Sequence, residues 1–194
     1  MKKLHALCVI CMVICLSSSL VHAKTPHFDP SFFTKYKNEK EIAFVLKGTG
    51  LKKFLAWEIV SVGLYSVEGV QPSQLLDDVP KSIELVYLQN IPKQELAKAT
   101  TKGIKENVSA EEYKKLQDRI RQCITYYTDV APQDRIRVTY IPGTGLEVYI
   151  NGDKRGAIEG ADFAKAFYSI WIGEKPVDKK MKLKLLGDVS DSIS

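Results

Sequence analysis

Side chains suited to acid–base, nucleophilic or metal chemistry are scarce in this sequence. It contains three histidines and four cysteines, of which only His27 and Cys123 lie beyond residue 23. Ser-His-Asp and Cys-His catalysis and multi-histidine metal sites all need histidines that this part of the chain lacks. We therefore expect no metal site, no cofactor and no catalytic site of these types. Cys123 lies on the apolar face of a predicted helix, which indicates a buried and unreactive thiol.

Two paired-glycine motifs raise the possibility of nucleotide binding. Gly48-Thr49-Gly50 and Gly143-Thr144-Gly145 each lack the third glycine of a dinucleotide fingerprint, and the first is followed by a predicted strand instead of a helix. We interpret both as turns that join strands. The chain has a formal net charge of +5, but acidic and basic residues are mixed along it, so we expect no nucleic-acid partner.

The N-terminus has the pattern of a secretory signal peptide. Lys2 and Lys3 precede an apolar segment over 6–16, and Val21-His22-Ala23 has the small residues of a cleavage site, so we expect cleavage after Ala23. The apolar segment is too short for an ordinary membrane span, and no second one of spanning length follows. We expect an exported protein, periplasmic or extracellular, with no transmembrane segment in the mature chain. The predicted divisions are a signal peptide (1–23), a lead-in (24–40), one domain (41–187) and a C-terminal tail (188–194).

Hydrophobic periodicity predicts the elements that must position any site. Strands are predicted over 41–46, 51–65, 82–88, 134–141 and 146–150, the last ending at a type I′ turn formed by Asn151-Gly152. Gly63 inside the second strand indicates a bulge or a close approach. Tyr65 and Tyr87 are amphipathic residues on predicted strands, and they are candidates for a pocket wall or for the sheet core.

Helix signals separate these groups of strands. Pro92 begins a predicted helix that continues to about Asn107, and Ser109 with Glu112 forms a capping box for a second helix. A third helix follows Gly160 and ends at Gly173. The lysines of 179–184 are expected on a solvated helix face. Strands and helices occur in blocks, which predicts an α+β fold with mainly antiparallel pairing.

Several segments, in this order, resemble the chalcone isomerase-like family, in its exported bacterial branch. They are KGTGLKKF, SVGLY, DVPKSIELVYL, YIPGTGLEVYING and GADFAKAFYSIWIGEKPV, and the likeness covers residues 41–187. The resemblance implies an open-faced β-sandwich, with a large antiparallel sheet and a layer of helices on one face. That family includes plant enzymes that cyclise chalcones, non-catalytic relatives and fatty-acid-binding plastid proteins.

The resemblance also implies where a site would lie. The family arginine that holds an anion corresponds to Lys52, or to Lys53 if the register shifts by one, and lysine keeps the charge but loses the bidentate fork. The position of a family threonine or tyrosine falls near Val60, which has no hydroxyl. The tyrosine–asparagine pair of the enzymes falls near Glu95 and Thr101 or Lys102. The catalytic set is therefore not preserved.

Three functions follow as hypotheses. The first is a non-catalytic binder of an apolar or fatty-acid-like anion, whose site residues would be Lys52, Lys53, Trp57, Val60, Tyr65 and Tyr87. The alternative is an intramolecular lyase of the chalcone isomerase type, because that cyclisation depends largely on positioning and electrostatic stabilisation. A further alternative is an envelope interaction protein with a vestigial pocket, which exposure of Trp57, Tyr149 or Trp171 would favour. The catalytic residues, the ligand and the oligomeric state are not defined by the sequence.

Overall fold

In the part of the chain that the structure describes, seven antiparallel strands form a curled sheet whose spatial order follows the chain from β1 to β7. The computed structural model describes residues 26–35 and 41–187, so the predicted signal peptide and C-terminal tail lie outside the described residues. The strands are β1 (Ser31–Lys35), β2 (Glu41–Phe54), β3 (Trp57–Ser66), β4 (Lys81–Tyr87), β5 (Arg135–Ile141), β6 (Gly145–Ile150) and β7 (Asp153–Ile158). The helices are α1 (Lys93–Asn107), α2 (Ala110–Thr125), α3 (Ala161–Ile172) and α4 (Lys179–Leu185), with a short 3₁₀ turn at Pro72–Gln74.

The four helices of the described residues cover one face of the sheet, which confirms the predicted α+β open-faced sandwich. Val62, Leu64, Ile83 and Leu85 point from the sheet into a single apolar core. Side chains from all four helices fill that core, namely Leu96, Ile104, Leu116, Ile120, Phe163, Phe167, Met181 and Leu185. In the described part of the chain no helix is both long and apolar enough to cross a bilayer.

Several local predictions are confirmed. The hydroxyl of Ser109 accepts a hydrogen bond from the N–H of Glu112 at 3.2 Å, and the Glu112 carboxylate accepts one from the N–H of Ser109 at 2.9 Å, as a capping box requires. Asn151 and Gly152 have φ of 52° and 89°, so the turn between β6 and β7 has the positive φ values expected at both positions. Cys123 is buried, and it forms no disulfide within residues 26–35 and 41–187.

The interpretation of Gly48-Thr49-Gly50 as a turn is wrong. All three residues lie inside β2, which continues to Phe54 and returns as β3 through Leu55 and Ala56. The predicted 51–65 strand is therefore a hairpin. A Cβ on Gly48 would lie 2.1 Å from the Lys184 carbonyl oxygen, and one on Gly50 would lie 2.4 Å from the Met181 side chain. The two glycines are needed because α4 packs directly onto β2.

The predicted lead-in contributes a strand to the sheet. Strand β1 pairs with β2, and Phe32 of β1 stacks on Phe44 and contacts the edge of Tyr65 on the face opposite the helices. Gly63 has no bulge, but a Cβ there would lie 2.7 Å from the ring of Phe28. The close approach proposed for Gly63 is therefore that of an aromatic ring.

A buried lysine makes the stability of the fold depend on pH. Lys81 is 1% exposed, and its ammonium group donates hydrogen bonds to the carbonyl oxygens of Asp77 at 2.6 Å and Val79 at 3.1 Å. Burial lowers its pKa from 10.5 to about 8, although Asp78 and Asp77 act in the opposite direction. Between these two pH values the unfolded chain holds a proton that the folded chain has released, so stability rises with pH.

We expect the unfolding free energy of the wild type, minus that of Lys81→Met, to increase by about 2 kcal/mol from pH 8 to pH 10. Urea denaturation at steps of pH measures it. Burial also raises the pKa of Cys123, which lowers the stability of both proteins as pH rises. Subtracting the two unfolding free energies removes this shared effect. Exposed Lys114→Met is the control and should give a constant difference. A constant difference for Lys81→Met as well would contradict the prediction.

Candidate ligand-binding site

A cavity of about 620 Å³ lies between the helix-covered face of the sheet and helices α1 and α3. Most of its wall is apolar. The sheet contributes Ile59, Val60, Leu85, Tyr87, Ile136 and Val138, and the helices contribute Leu96, Phe167, Ile170 and Trp171. The segment before α4, with Pro176 and Val177, closes part of the mouth. The volume is within the range of sites that hold small molecules of drug or lipid size.

The register of β2 directs Lys52 towards this cavity. Gly48, Gly50 and Lys52 alternate along the strand and pair with Leu64, Val62 and Val60 respectively, so Lys52 lies on the helix-covered face. Its ammonium group is 3.0 Å from the Asp178 carboxylate and 3.3 Å from the Val177 carbonyl oxygen. An ammonium group has three donors, so one remains for a further acceptor.

Asp178 serves two partners at the mouth of the cavity. It caps α4 by accepting a hydrogen bond from the N–H of Met181 at 3.0 Å, and it forms the ion pair with Lys52. Burial acts to raise the pKa of Asp178, but the Met181 N–H and the Lys52 ammonium outweigh it and hold the pKa below its usual value. The carboxylate is therefore charged at neutral pH. It forms an ion pair with the same Lys52 ammonium group that a ligand anion would approach.

Four residues with polar side-chain groups line the interior of the cavity, namely Tyr87, Thr100, Tyr127 and Trp171. The hydroxyls of Thr100 and Tyr127 are hydrogen-bonded to each other at 3.0 Å. Burial raises the pKa of Tyr87 and Tyr127, so both phenols are neutral at physiological pH. The indole N–H of Trp171 is buried and has no hydrogen-bond partner among the described residues. An unpaired buried donor is costly. This N–H is enclosed by protein atoms, so a ligand oxygen could reach it only if the Trp171 side chain moved.

The six residues predicted for the site separate into two groups. Lys52, Val60 and Tyr87 line the cavity, whereas Lys53, Trp57 and Tyr65 do not. Lys53 is exposed and pairs with Glu58 at 2.9 Å, and Trp57 is exposed beyond the cavity at the end of the β2–β3 hairpin. Tyr65 lies on the other face, where its hydroxyl donates to the Asp29 carbonyl oxygen at 3.0 Å.

The structure adds residues that sequence reasoning missed. Trp171, Thr100 and Tyr127 line the cavity, and Trp171 is also partly exposed. Helical periodicity places such residues on an apolar face but does not distinguish a packed wall from a cavity wall. Of the positions that correspond to the catalytic pair, Glu95 and Lys102 line the mouth and Thr101 does not.

Comparisons with known proteins agree with this architecture. No curated protein sequence matches the chain. Among solved structures, the crystal structure of an Arabidopsis thaliana fatty-acid binding protein superposes with a TM-score of 0.61 at 15% identity, covering 81% of this chain and 97% of that one. At this identity the likeness shows a shared fold. The sequence profile described as chalcone isomerase-like matches residues 34–187, and the chain therefore belongs to the chalcone isomerase-like family.

Proposed function

We propose that this protein binds an apolar or amphipathic carboxylate, such as a fatty acid, without converting it. The observation that carries the proposal is a mainly apolar cavity with a cation, Lys52, at its edge. The apolar wall would hold the hydrocarbon part through the hydrophobic effect, and the cation would favour a charged head group where screening by water is reduced. A structural neighbour is a fatty-acid binding protein, which supports the same class of ligand.

Calorimetric titration with three probes tests this function. Laurate has both a chain and a charge, dodecanol has the chain alone and acetate has the charge alone. We expect laurate to bind most tightly, dodecanol about tenfold more weakly because it lacks the ion pair, and acetate without detectable heat. Equal affinity for laurate and dodecanol would remove the role of the cation, and no binding of either would overturn the proposal.

Asp178 should act as a competitor for the ligand head group. The change Asp178→Asn removes the negative charge but retains an oxygen that caps α4, since asparagine caps helices as well as aspartate does. The free Lys52 ammonium should then bind laurate about tenfold more tightly, with little change for dodecanol.

The same titrations with purified Asp178→Asn measure this effect. Glu174→Gln is the matched control, because Glu174 is an exposed acid in the segment before α4 that has no ion pair among the described residues. Its laurate affinity should stay close to that of the wild type. Weaker laurate binding by Asp178→Asn would contradict the competition and would indicate that the carboxylate orders the site.

Isomerase activity has weaker support as a second function. At the positions that correspond to catalytic residues the chain has Lys52, Val60, Glu95 and Thr101 or Lys102. None is a tyrosine or an asparagine, and Thr101, which has a hydroxyl, does not line the cavity. The hydrogen-bonded pair of Thr100 and Tyr127 is the observation that favours it, since both residues line the cavity. Loss of chalcone absorbance faster than in buffer would raise this function above simple binding.

Export by a signal peptide is proposed on the pattern of residues 1–23, and it would place the protein in the exported branch of the family. Expression of the full sequence in a bacterial host should give a mature protein beginning at Lys24, found in the periplasm or the medium. Mass spectrometry of the purified protein measures the N-terminus. Recovery of an uncut chain from the cytosol would contradict export.

A further inference from the structure

The turn between β2 and β3 carries an exposed apolar surface. Phe54, Leu55 and Trp57 are 67%, 85% and 64% exposed, and we call residues 54–57 the hairpin tip. Scattered exposed apolar residues are common, but three large ones at the end of one hairpin form a continuous patch. Such patches mark surfaces that contact another apolar phase or molecule.

Leu55 has an unfavourable backbone conformation as well as an exposed side chain. Its φ is 54°, in the left-handed region where glycine and asparagine are favoured. Folding therefore gains nothing from leucine at this position, since the side chain is almost fully solvated. An apolar residue at a position where both backbone and solvent oppose it points to a contact made outside the folded chain.

A basic helix lies beside the hairpin tip. The residues of α4 include four lysines and no acid, and the pairing of Asp178 with Lys52 places the start of this helix two residues from Phe54 along β2. Among the described residues, Lys179, Lys180 and Lys184 form no ion pair. Leu183 on the same helix and Val177 just before it are 43% and 46% exposed.

We propose that the hairpin tip and α4 dock together on an anionic lipid bilayer. Aromatic and leucine side chains enter the interfacial region of a membrane, where tryptophan is enriched. Lysines next to them are attracted to anionic head groups, each adding to the affinity. An apolar protein partner would not need the unpaired lysines, and an acidic protein partner would not need the apolar tip, so a bilayer satisfies both features.

Docking would bring the cavity to the membrane. Phe54 and Val177 are exposed and also line the cavity, so the mouth lies at the edge of the docking surface. The consequence that a lipid-like carboxylate passes directly between bilayer and cavity rests on the proposed function. The docking itself depends only on the hairpin tip and α4.

Vesicle flotation tests the docking. The probes are phosphatidylcholine vesicles with and without about one third phosphatidylglycerol, in about 0.1 M and about 1 M NaCl, which shortens the Debye length from about 10 Å to about 3 Å. We expect binding to the anionic vesicles at low salt, weakened at least about tenfold by high salt or by neutral lipid. Absence of binding to the anionic vesicles would overturn the proposal.

Two pairs of variants locate the surface. Leu55→Ser combined with Trp57→Ser should lower partitioning onto the anionic vesicles at least about tenfold. The control Phe33→Ser removes an exposed aromatic side chain outside the hairpin tip (66% exposed) and should not lower it. Lys179→Gln combined with Lys180→Gln should lower it to a similar extent. The control of equal net charge is Lys114→Gln with Lys165→Gln, both exposed and outside the hairpin tip and α4.

Each variant and its control carry the same N-terminal segment, so the difference within a pair reports on the surface alone. Equal losses within a pair would overturn the proposal, and capture of a protein without vesicle binding would replace the bilayer by that protein. Leu55 and Trp57 do not line the cavity, so laurate affinity in the tip variant should be unchanged. If the protein fails to bind vesicles but still binds laurate, the docking is wrong and the proposed function stands. If it binds vesicles but not laurate, the proposed function is wrong and the docking stands.

Discussion

Lys52→Ala lowers the affinity for laurate at least about tenfold, while Lys53→Ala leaves it within about twofold. The two residues are adjacent in sequence and equally charged, but they differ in what surrounds them. The Lys52 ammonium lies at the cavity, bound to Asp178 and Val177, whereas Lys53 pairs with Glu58 outside the cavity. A charge in a partly dry cleft interacts more strongly with an anion than one in bulk water.

Calorimetric titration of both variants with laurate and dodecanol measures the effect. Dodecanol affinity should change little in either variant, because the alcohol has no charge to lose. Lys52→Arg is a further control and should retain or strengthen laurate binding, since a guanidinium binds a carboxylate through two donors. Equal losses in Lys52→Ala and Lys53→Ala would show that the effect is long-range electrostatics, and the site proposed around Lys52 would be wrong.

Gly48→Ala destabilises the protein by about 3 kcal/mol or more, the upper end of the usual cost of overpacking. The new Cβ would lie 2.1 Å from the carbonyl oxygen of Lys184 and 2.7 Å from that of Leu185. Both are backbone atoms, so no rotamer change relieves the overlap, and α4 must move away from β2. Alanine in a strand is otherwise slightly favourable relative to glycine, which makes the sign of the change informative.

Urea denaturation of Gly48→Ala and of Thr49→Ala measures this contrast. Thr49 is exposed on the opposite face of β2, so its truncation should change stability by no more than about 0.5 kcal/mol. Displacement of α4 should also weaken the Lys52–Asp178 pair, so laurate affinity in the folded Gly48→Ala protein should change as well. Wild-type stability in Gly48→Ala would contradict direct packing of α4 on this strand.

The two predictions have a common structural origin. The glycines that admit α4 and the lysine that reaches the cavity follow one another at every second position of β2. Side chains two residues apart in a strand point to the same face. The close packing of α4 at Gly48 thus sets the position of Asp178, which in turn pairs with Lys52.

The glycine motifs show why the packing of α4 on β2 could not be predicted from the sequence. A Gly-x-Gly segment is typical both of a turn and of a strand on which another element packs closely. The choice depends on α4, which lies more than a hundred residues further along the chain. The same limitation applies to Tyr65 and Tyr87, because both alternate correctly within their strands, yet only Tyr87 lies on the face that borders the cavity.

Several local elements, and the chemistry that the side chains can offer, follow from the amino-acid sequence. The capping box at Ser109 and the Asn151-Gly152 turn are confirmed because such signals act over a few residues. Three features follow only from tertiary contacts. Lys52 and not Lys53 faces the cavity, Asp178 pairs with Lys52, and the buried Trp171 N–H has no partner among the described residues. These features depend on strand register and on helix packing between distant segments, and the energies that select them arise only when those segments meet.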